Sequence, residues 1–404
     1  MLIDKKKILF VMPEMSGRGT QRSLLNLIKH IPADRYQITI LLCERTGELL
    51  NDIPDHVRTE DMGLDAETVR MINYGEDTGT KRAIASVLRK GRILLFFRIL
   101  FEKLIEKSPV TKFTPVFDEL PCYKEEVDFA VCYHLHNPFI VKFTANKVKA
   151  KKKAAWIHND FLESGYDKSV VKMQKYLEKY DEFFAVSKKV LGEFRTIFPC
   201  YIDRSFLFYN YIDADTIIKR ADEFYPEEYT KEKEQGKCIL LSVGSLVRQK
   251  GFDMAIECAE ILKDKGIEYI WYLVGEGEEK EKLEAMINGK KLREKIKLTG
   301  YRDNPYPYFK NCDIYIQPSR HEGFCTAVSE AMALHKPVVA TNVSGVSEQI
   351  KDGESGKVVG FDASELADAV ESLITDKARR EVLCRNASVR QPRDELKIFL
   401  GEAT

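Results

Sequence analysis

At 404 residues the chain is too long for one ordinary hydrophobic core, and its length argues for two domains. Apolar residues make up 44% and charged residues 31%, and Lys+Arg and Asp+Glu both total 63, which describes a soluble globular protein without a basic field for nucleic acid. Nine cysteines without a Cys-x-x-Cys pair or zinc-type spacing exclude a recognisable disulfide framework or zinc site and suit reduced thiols in a cytosol.

Lys5-Lys6-Lys7 followed by Ile8 to Met12 is basic and then apolar. The apolar run is too short for a signal peptide or a membrane span and reads as a first buried strand. Ser16-Gly17-Arg18-Gly19-Thr20 links it to a helix over 20–30. A dinucleotide fingerprint needs a third glycine where Arg22 stands, so what remains is a glycine loop at the end of a strand. Further strands are predicted at 36–43, 128–133, 153–158, 182–186 and 206–209, and their alternation with helices predicts a parallel, doubly wound α/β sheet. Trp156-Ile-His158-Asn-Asp160 closes one of these strands. It places His158 where it can donate to a substrate oxygen or to charge in a transition state.

Residues 64–120 interrupt the series. Within them, 81–107 combines a run from Leu94 to Ile105 rich in Leu, Ile and Phe with Arg82, Arg89, Lys90, Arg92, Arg98, Lys103 and Lys107. Such a helix either lies in a bilayer interface against anionic lipid or packs as an amphipathic helix on its own domain. Arg98 and Glu102 break the run for a transmembrane span.

Residues 214–236 are polar and charged and read as a connection between domains. A second alternating series then opens, with strands at 238–243, 269–274, 295–299, 313–317 and 337–340. The predicted organisation is a first domain over 1–213, the connection over 214–236, a second domain over 237–385 and a tail over 386–404. Doubly wound sheets bind ligands at the carboxyl ends of their strands.

Four loops of the second series carry chemistry. Gly244-Ser245-Leu-Val-Arg248-Gln-Lys250-Gly251 follows its first strand and offers two cations and backbone free to approach a diphosphate. Gly275-Glu-Gly277 sits at the next strand-to-helix turn, a weak nucleotide-binding signal by itself. Tyr301 follows the third strand and either stacks on a base or only packs. Most informative is His321-Glu322-Gly323-Phe324-Cys325-Thr326, which leads into a helix carrying Glu330. The helix start offers amides to a phosphate, and two carboxylates beside an anion site suit sugar hydroxyls. Together these loops suggest a nucleotide-sugar pocket.

The chain resembles the retaining glycosyltransferases of family 4, which have the GT-B fold of two doubly wound domains facing a central cleft. The resemblance rests on Pro318-Ser319, Glu322-Gly-Phe and Glu330-Ala-Met-Ala, with Asn210-x-x-Asp213 and Gly345-x-x-Glu348 in support. It implies that Glu330 holds the donor ribose and that Glu322 lies under the donor sugar, facing the anomeric carbon. Lys250 would neutralise the diphosphate, the amides of Gly323, Phe324, Cys325 and Thr326 would contact sugar or phosphate, and Gly244, Gly275 and Tyr301 would line the nucleotide. Gly17 and Gly19 would close over the diphosphate, and His158 would touch the donor sugar. The family usually has arginine directly after the glycine that ends its strand. Here that position is Ser245, and Arg248 stands three residues on.

The implied activity is transfer of a hexosyl residue from a nucleotide sugar, with uridine as the base, to a lipid-linked or oligosaccharide acceptor in cell-surface polysaccharide synthesis. No Asp-x-Asp metal site appears at a plausible position, so neither metal nor cofactor is expected. The expected location is the cytoplasm, at the inner membrane face if 81–107 binds lipid. Two alternatives stay open: a nicotinamide-dependent oxidoreductase, with Glu44 mimicking a ribose-binding acid, and a non-catalytic sugar-nucleotide-binding partner of another transferase.

Overall fold

The computed structural model describes residues 5–16, 19–64, 117–118, 120–389 and 391–402. Gly17 and the basic segment 81–107 lie outside them. The chain divides into two compact units, Met1–Val186 with Val190–Phe208, and Tyr209–Thr404 with Ser187–Lys189.

The first unit is built on seven strands: β1 (Lys6–Met12), β2 (Tyr36–Leu42), β3 (Arg58–Asp61), β4 (Glu126–Cys132), β5 (Lys149–Ile157), β6 (Glu182–Ala185) and β7 (Ser205–Leu207). Their order across the sheet is β3-β2-β1-β4-β5-β6-β7, and every pairing is parallel. Ile8, Leu9, Phe10, Val11 and Met12 are all buried, the continuous apolar run expected when helices cover both faces of a parallel sheet. Helix α1 (Gly19–Lys29) buries Leu24, Leu25, Leu27 and Ile28, and α2 (Pro138–Lys147) starts at Asn137, whose side chain accepts from the Phe139 and Ile140 amides.

The second unit holds β8 (Cys238–Val243), β9 (Tyr269–Val274), β10 (Ile296–Gly300), β11 (Ile314–Gln317), β12 (Val338–Thr341) and β13 (Lys357–Val359), in the order β10-β9-β8-β11-β12-β13, again all parallel. The strand order of each sheet reverses once, between β1 and β4 in the first and between β8 and β11 in the second. That reversal opens a crevice at the carboxyl ends of the two central strands, the usual ligand position in such sheets.

Four expectations differ from the structure. Strand β5 begins at Lys149, four residues before the expected 153. Its lysines are held by neighbouring strands, Lys151 to Asp128 at 2.7 Å and Lys152 to Glu182 at 2.5 Å, so a run that looks like a solvated loop completes the sheet. Strands β3 and β13 were not expected at all: both are short, and β3 (Arg-Thr-Glu-Asp) is charged. The stretch 214–236, read as a connection, forms helices α3 (Ala214–Ala221) and α4 (Glu228–Glu234), and Ile217, Ala221 and Tyr229 are buried in the second unit's core. The stretch 386–404, expected as a C-terminal tail, contains the helix Arg393–Leu400, with Phe399 and Leu400 buried.

Candidate active site

The second unit's crevice is bounded by the loop after β8 and the loop after β11. The first runs from Gly244 to Gly251 and enters helix α5 (Phe252–Asp264). Gly251 has φ 67°, and a Cβ there would lie 1.9 Å from the Pro318 carbonyl oxygen, so only glycine lets this turn rest on the end of β11. Polar contacts then stitch the two loops together. The Arg320 guanidinium donates to both carboxylate oxygens of Asp253 at 2.7 Å and to the Arg248 carbonyl at 2.8 Å. The Arg320 amide donates to the Gln249 carbonyl at 2.8 Å, and the Gln249 side chain donates to the His321 carbonyl at 3.0 Å. Burial works against the Asp253 charge, but the Arg320 hydrogen bond and charge outweigh it and lower its pKa.

This stitching brings Lys250 to Glu322. The ammonium lies 2.6 Å from Glu322 Oε1, with the two side chains 22% and 8% exposed. Burial opposes the Lys250 charge, but Glu322, and more weakly Cys325 and Glu330, overcome it and raise its pKa. The same Oε1 accepts from Ser319 Oγ at 2.7 Å. The Lys250 stem passes over Gly244, 3.6 Å from where a Cβ would stand. Cys325 is the N-cap of helix α6 (Thr326–Ala333) and makes no capping hydrogen bond. Burial, then the Glu322 charge, push its thiol up to about 12, so it stays neutral and fills space. Further along that helix, half-buried Glu330 accepts from Tyr306 Oη at 3.4 Å.

A paired ammonium and carboxylate, with a second carboxylate on the helix that follows, can hold a diphosphate and hydroxyl-rich rings. Residues 226–390 match the family described as glycosyl transferases group 1. The second unit belongs to the group 1 glycosyltransferases. An α-D-kanosaminyltransferase of Streptomyces kanamyceticus is 33% identical over 179 residues, which are 44% of this chain and 45% of that one. The N-acetylgalactosamine-N,N'-diacetylbacillosaminyl-diphospho-undecaprenol 4-α-N-acetylgalactosaminyltransferase of Campylobacter jejuni is 30% identical over 205 residues, 48% of this chain and 53% of that one. The chain thus spans about half the length of the curated relatives it matches. The crystal structure of HepE from Anabaena in complex with UDP and glucose is similar over 98% of both chains, with 16% identity and a TM-score of 0.69, which establishes the GT-B fold.

Other expected residues of the second unit fall around the same edge. Gly275, with φ 150°, follows β9, and a Cβ there would lie 1.9 Å from the Gly244 carbonyl oxygen. Its amide donates to the Gly300 carbonyl at 2.9 Å, which ties together the ends of β8, β9 and β10. Tyr301, next after Gly300, is 45% exposed. Ser245 and Arg248 are both exposed, and the Arg248 guanidinium enters no ion pair among the described residues. Phe324 lies with its ring 5.8 Å from that of Tyr209, and Thr326 is the first residue of α6. Glu348 accepts from Tyr209 Oη at 2.7 Å.

In the first unit, Gly19 begins α1 and His158 stands just past the end of β5. His158 packs 4.7 Å from the Tyr133 ring and is 7% exposed, and its Nε2 finds no partner among the described residues. Burial, then His134 and His136, hold its pKa well below the ordinary 6.5, so the ring is neutral. Sequence reasoning passed over His136, which stacks 5.0 Å from Phe161 beside it, and over Arg320 and Asp253, and it used Ser319 only as part of the family motif. The run Tyr133-His-Leu-His136 beyond a strand was a signal in plain view, whereas nothing local joins Arg320 to Asp253. Among the described residues no group of three or more His, Cys, Asp or Glu is arranged to hold a metal ion, and no helix is long and apolar enough to cross a membrane.

Proposed function

We propose that the protein is a retaining glycosyltransferase that moves a hexosyl residue from a uridine diphosphate sugar to a hydroxyl of a lipid-linked glycan in cell-surface polysaccharide synthesis. The observation that carries this reading is the Lys250–Glu322 pair at 2.6 Å, held at the β8/β11 crevice of a group 1 domain. Support for donor and acceptor comes from the relatives' names, UDP and glucose for HepE and a diphospho-undecaprenol acceptor for the Campylobacter enzyme.

In this reading Glu330 binds the ribose hydroxyls, Tyr301 stacks on the base, and the amides of Phe324, Cys325 and Thr326 face sugar or phosphate. Glu322 lies beneath the donor sugar. Lys250, with Arg248 standing in for the arginine absent at Ser245, takes the diphosphate charge. The anomeric carbon–oxygen bond to the diphosphate breaks as the acceptor oxygen attacks the same face. The acceptor's proton passes to a departing phosphate oxygen, so no protein base is needed at that step. In the first unit, His158 and Gly19 are the candidates for contact with substrate. Since these cations carry the leaving-group charge, turnover is expected to survive EDTA. The basic, apolar sequence 81–107 supplies the attraction to anionic membrane.

The deciding experiment screens a panel of nucleotide sugars for release of the nucleoside diphosphate, then repeats it with Glu330→Ala. Loss of release is expected, and unchanged turnover ends the assignment. Co-sedimentation with vesicles containing anionic lipid tests the membrane element, and an absence of binding at every salt concentration removes it.

A further inference from the structure

Strand β11 carries a polar ladder inside an apolar core. Tyr315, Gln317 and Ser319 alternate along the strand and its continuation and so share one face. They are 0%, 1% and 0% exposed, and the neighbours on the other face, Ile314 and Ile316, are apolar. Burying three polar side chains costs stability unless each is paired. Each is paired, in a single line: Tyr315 Oη donates to Gln317 Oε1, Gln317 Nε2 donates to Ser319 Oγ at 2.8 Å, and Ser319 Oγ donates to Glu322 Oε1 at 2.7 Å.

The direction of this line follows from its end. An ionised carboxylate only accepts, so the Ser319 proton must point at Glu322. Ser319 Oγ must then accept from an N–H, which turns the Gln317 amide nitrogen toward it. The Gln317 carbonyl is left facing Tyr315, whose hydroxyl must donate. No member can reverse without leaving a buried acceptor facing another acceptor. The strand is held as well, because Thr341 Oγ1 donates to the Ser319 carbonyl at 2.5 Å.

We infer that Ser319, oriented by Gln317 and Tyr315, is the positioning residue for Glu322: it fixes carboxylate oxygen Oε1 and leaves Oε2 to meet the donor sugar. Among the described residues nothing donates to Oε2. Lys250 also donates to Oε1, at 2.6 Å. When a diphosphate draws the ammonium away, Ser319 still holds the carboxylate. The ladder therefore lets Lys250 change partner without releasing Glu322. This deepens the reading of Glu322 given above and rests on it.

The test uses the full chain with UDP-glucose as donor probe, following UDP release for turnover and UDP binding by calorimetry. Ser319→Ala is expected to lower kcat about tenfold to a hundredfold, the scale on which removing a supporting partner of a site ligand acts, while UDP affinity stays within about twofold. Ser319→Cys, similar in volume but a weaker donor, should fall between Ala and Ser. Gln317→Met should lower kcat in the parent and add nothing in the Ser319→Ala background, because Gln317 acts only through Ser319. Tyr315→Phe, which removes one hydroxyl and little volume, keeps the test open if Gln317→Met does not fold, and should cost a few-fold in kcat. Packing alone would instead leave Cys as active as Ser and make the two losses multiply, and either result overturns the inference. If Glu322→Gln abolishes turnover while Ser319→Ala leaves kcat intact, the ladder fails and the Glu322 reading stands. If Glu322→Gln turns over normally, or the parent is silent on UDP-glucose but active on another donor, the fault lies in the Glu322 or donor reading respectively, and the ladder falls with the first. In the second case the same variants are read on the active donor.

Discussion

At the carboxyl edge of the second sheet, Lys250 pairs with Glu322 and Arg320 with Asp253, on segments tied together through the Arg248 carbonyl. At the edge of the first sheet, Ser16 Oγ, Gln21 Oε1, His136 Nε2 and His158 Nε2 are buried and find no partner among the described residues. The rings of His136 and His158 stay neutral there, packed against Phe161 and Tyr133. The difference separates two ways of preparing the end of a sheet. One edge fixes charge in advance, and such preorganised groups need not reorient when a charged ligand binds. The other keeps neutral donors and acceptors, which suit ligands whose hydroxyls accept and donate alike.

The most severe way to break the contrast is to remove the fixed charge. Lys250→Met keeps the stem over Gly244 and deletes the ammonium. Diphosphate release is expected to fall about a hundredfold to a thousandfold, with Glu322 still held by Ser319. Steady-state kinetics on the accepted donor decide it, and a loss under tenfold would mean that Arg248 carries the charge instead. Next comes the turn that delivers Lys250. Gly251→Ala must both hold φ 67° with a Cβ and displace the Pro318 carbonyl 1.9 Å away, so a loss of about 3 kcal/mol or more is expected. Gly266→Ala has a similar φ of 71° and nothing within 4 Å, and should cost only about 1 kcal/mol. Equal losses in urea unfolding would show that the turn does not depend on its fit to β11.

The first edge yields to acid instead. His136 is held to about 3 by burial first and by His134 second, and His158 lies well below 6.5 for the same leading reason. An unfolded chain takes up these protons near 6.5, so folded stability is fully present above that pH and falls below it. Each histidine contributes up to about 1.4 kcal/mol per pH unit, for His136 down to about pH 3. The second unit's depressed carboxylate, Asp253, acts only below its ordinary 3.8. Each unit holds one tryptophan, Trp156 in β5 and Trp271 in β9. Urea unfolding read from Trp156 in a Trp271→Phe background should therefore weaken between pH 7 and 5, while Trp271 in a Trp156→Phe background should not. His136→Phe, which keeps a ring against Phe161, should reduce the slope by about half.

What the sequence made legible follows a physical line. Strands at 238–243 and 269–274 were read to the residue, because a strand buried on both faces is a continuous apolar run with sharp ends. Charge misled in the opposite direction at 214–236, where Ile217 and Ala221 lie one helical turn apart and face inward from a polar segment. In the site, Lys250 and Glu322 were visible because each sits in a glycine-bearing loop after a strand. Ser319 was visible as part of the motif, but a single sequence does not name the carboxylate it serves. Arg320 and Asp253 were not legible, since their pairing depends on two loops meeting at the carboxyl ends of neighbouring strands.

That last pair supports the smallest effect. Arg320→Lys keeps a positive charge beside Asp253 but replaces a planar fork with a single ammonium. The lysine can satisfy one Asp253 oxygen, not both, and cannot also reach the Arg248 carbonyl as the guanidinium does at 2.8 Å. The two side chains are 25% and 18% exposed, so water replaces part of what is lost. A loss of about 1–2 kcal/mol in the Trp271-read unfolding is expected. Turnover should fall only a few-fold, because the Arg320 amide still holds Gln249 and Gly251 still rests on Pro318. A stability loss under about 0.5 kcal/mol, typical of an exposed ion pair, would mean that the backbone contacts alone fix the loops. The second edge would then owe its rigidity to glycine fit rather than to charge, and the contrast with the histidine edge would be one of packing.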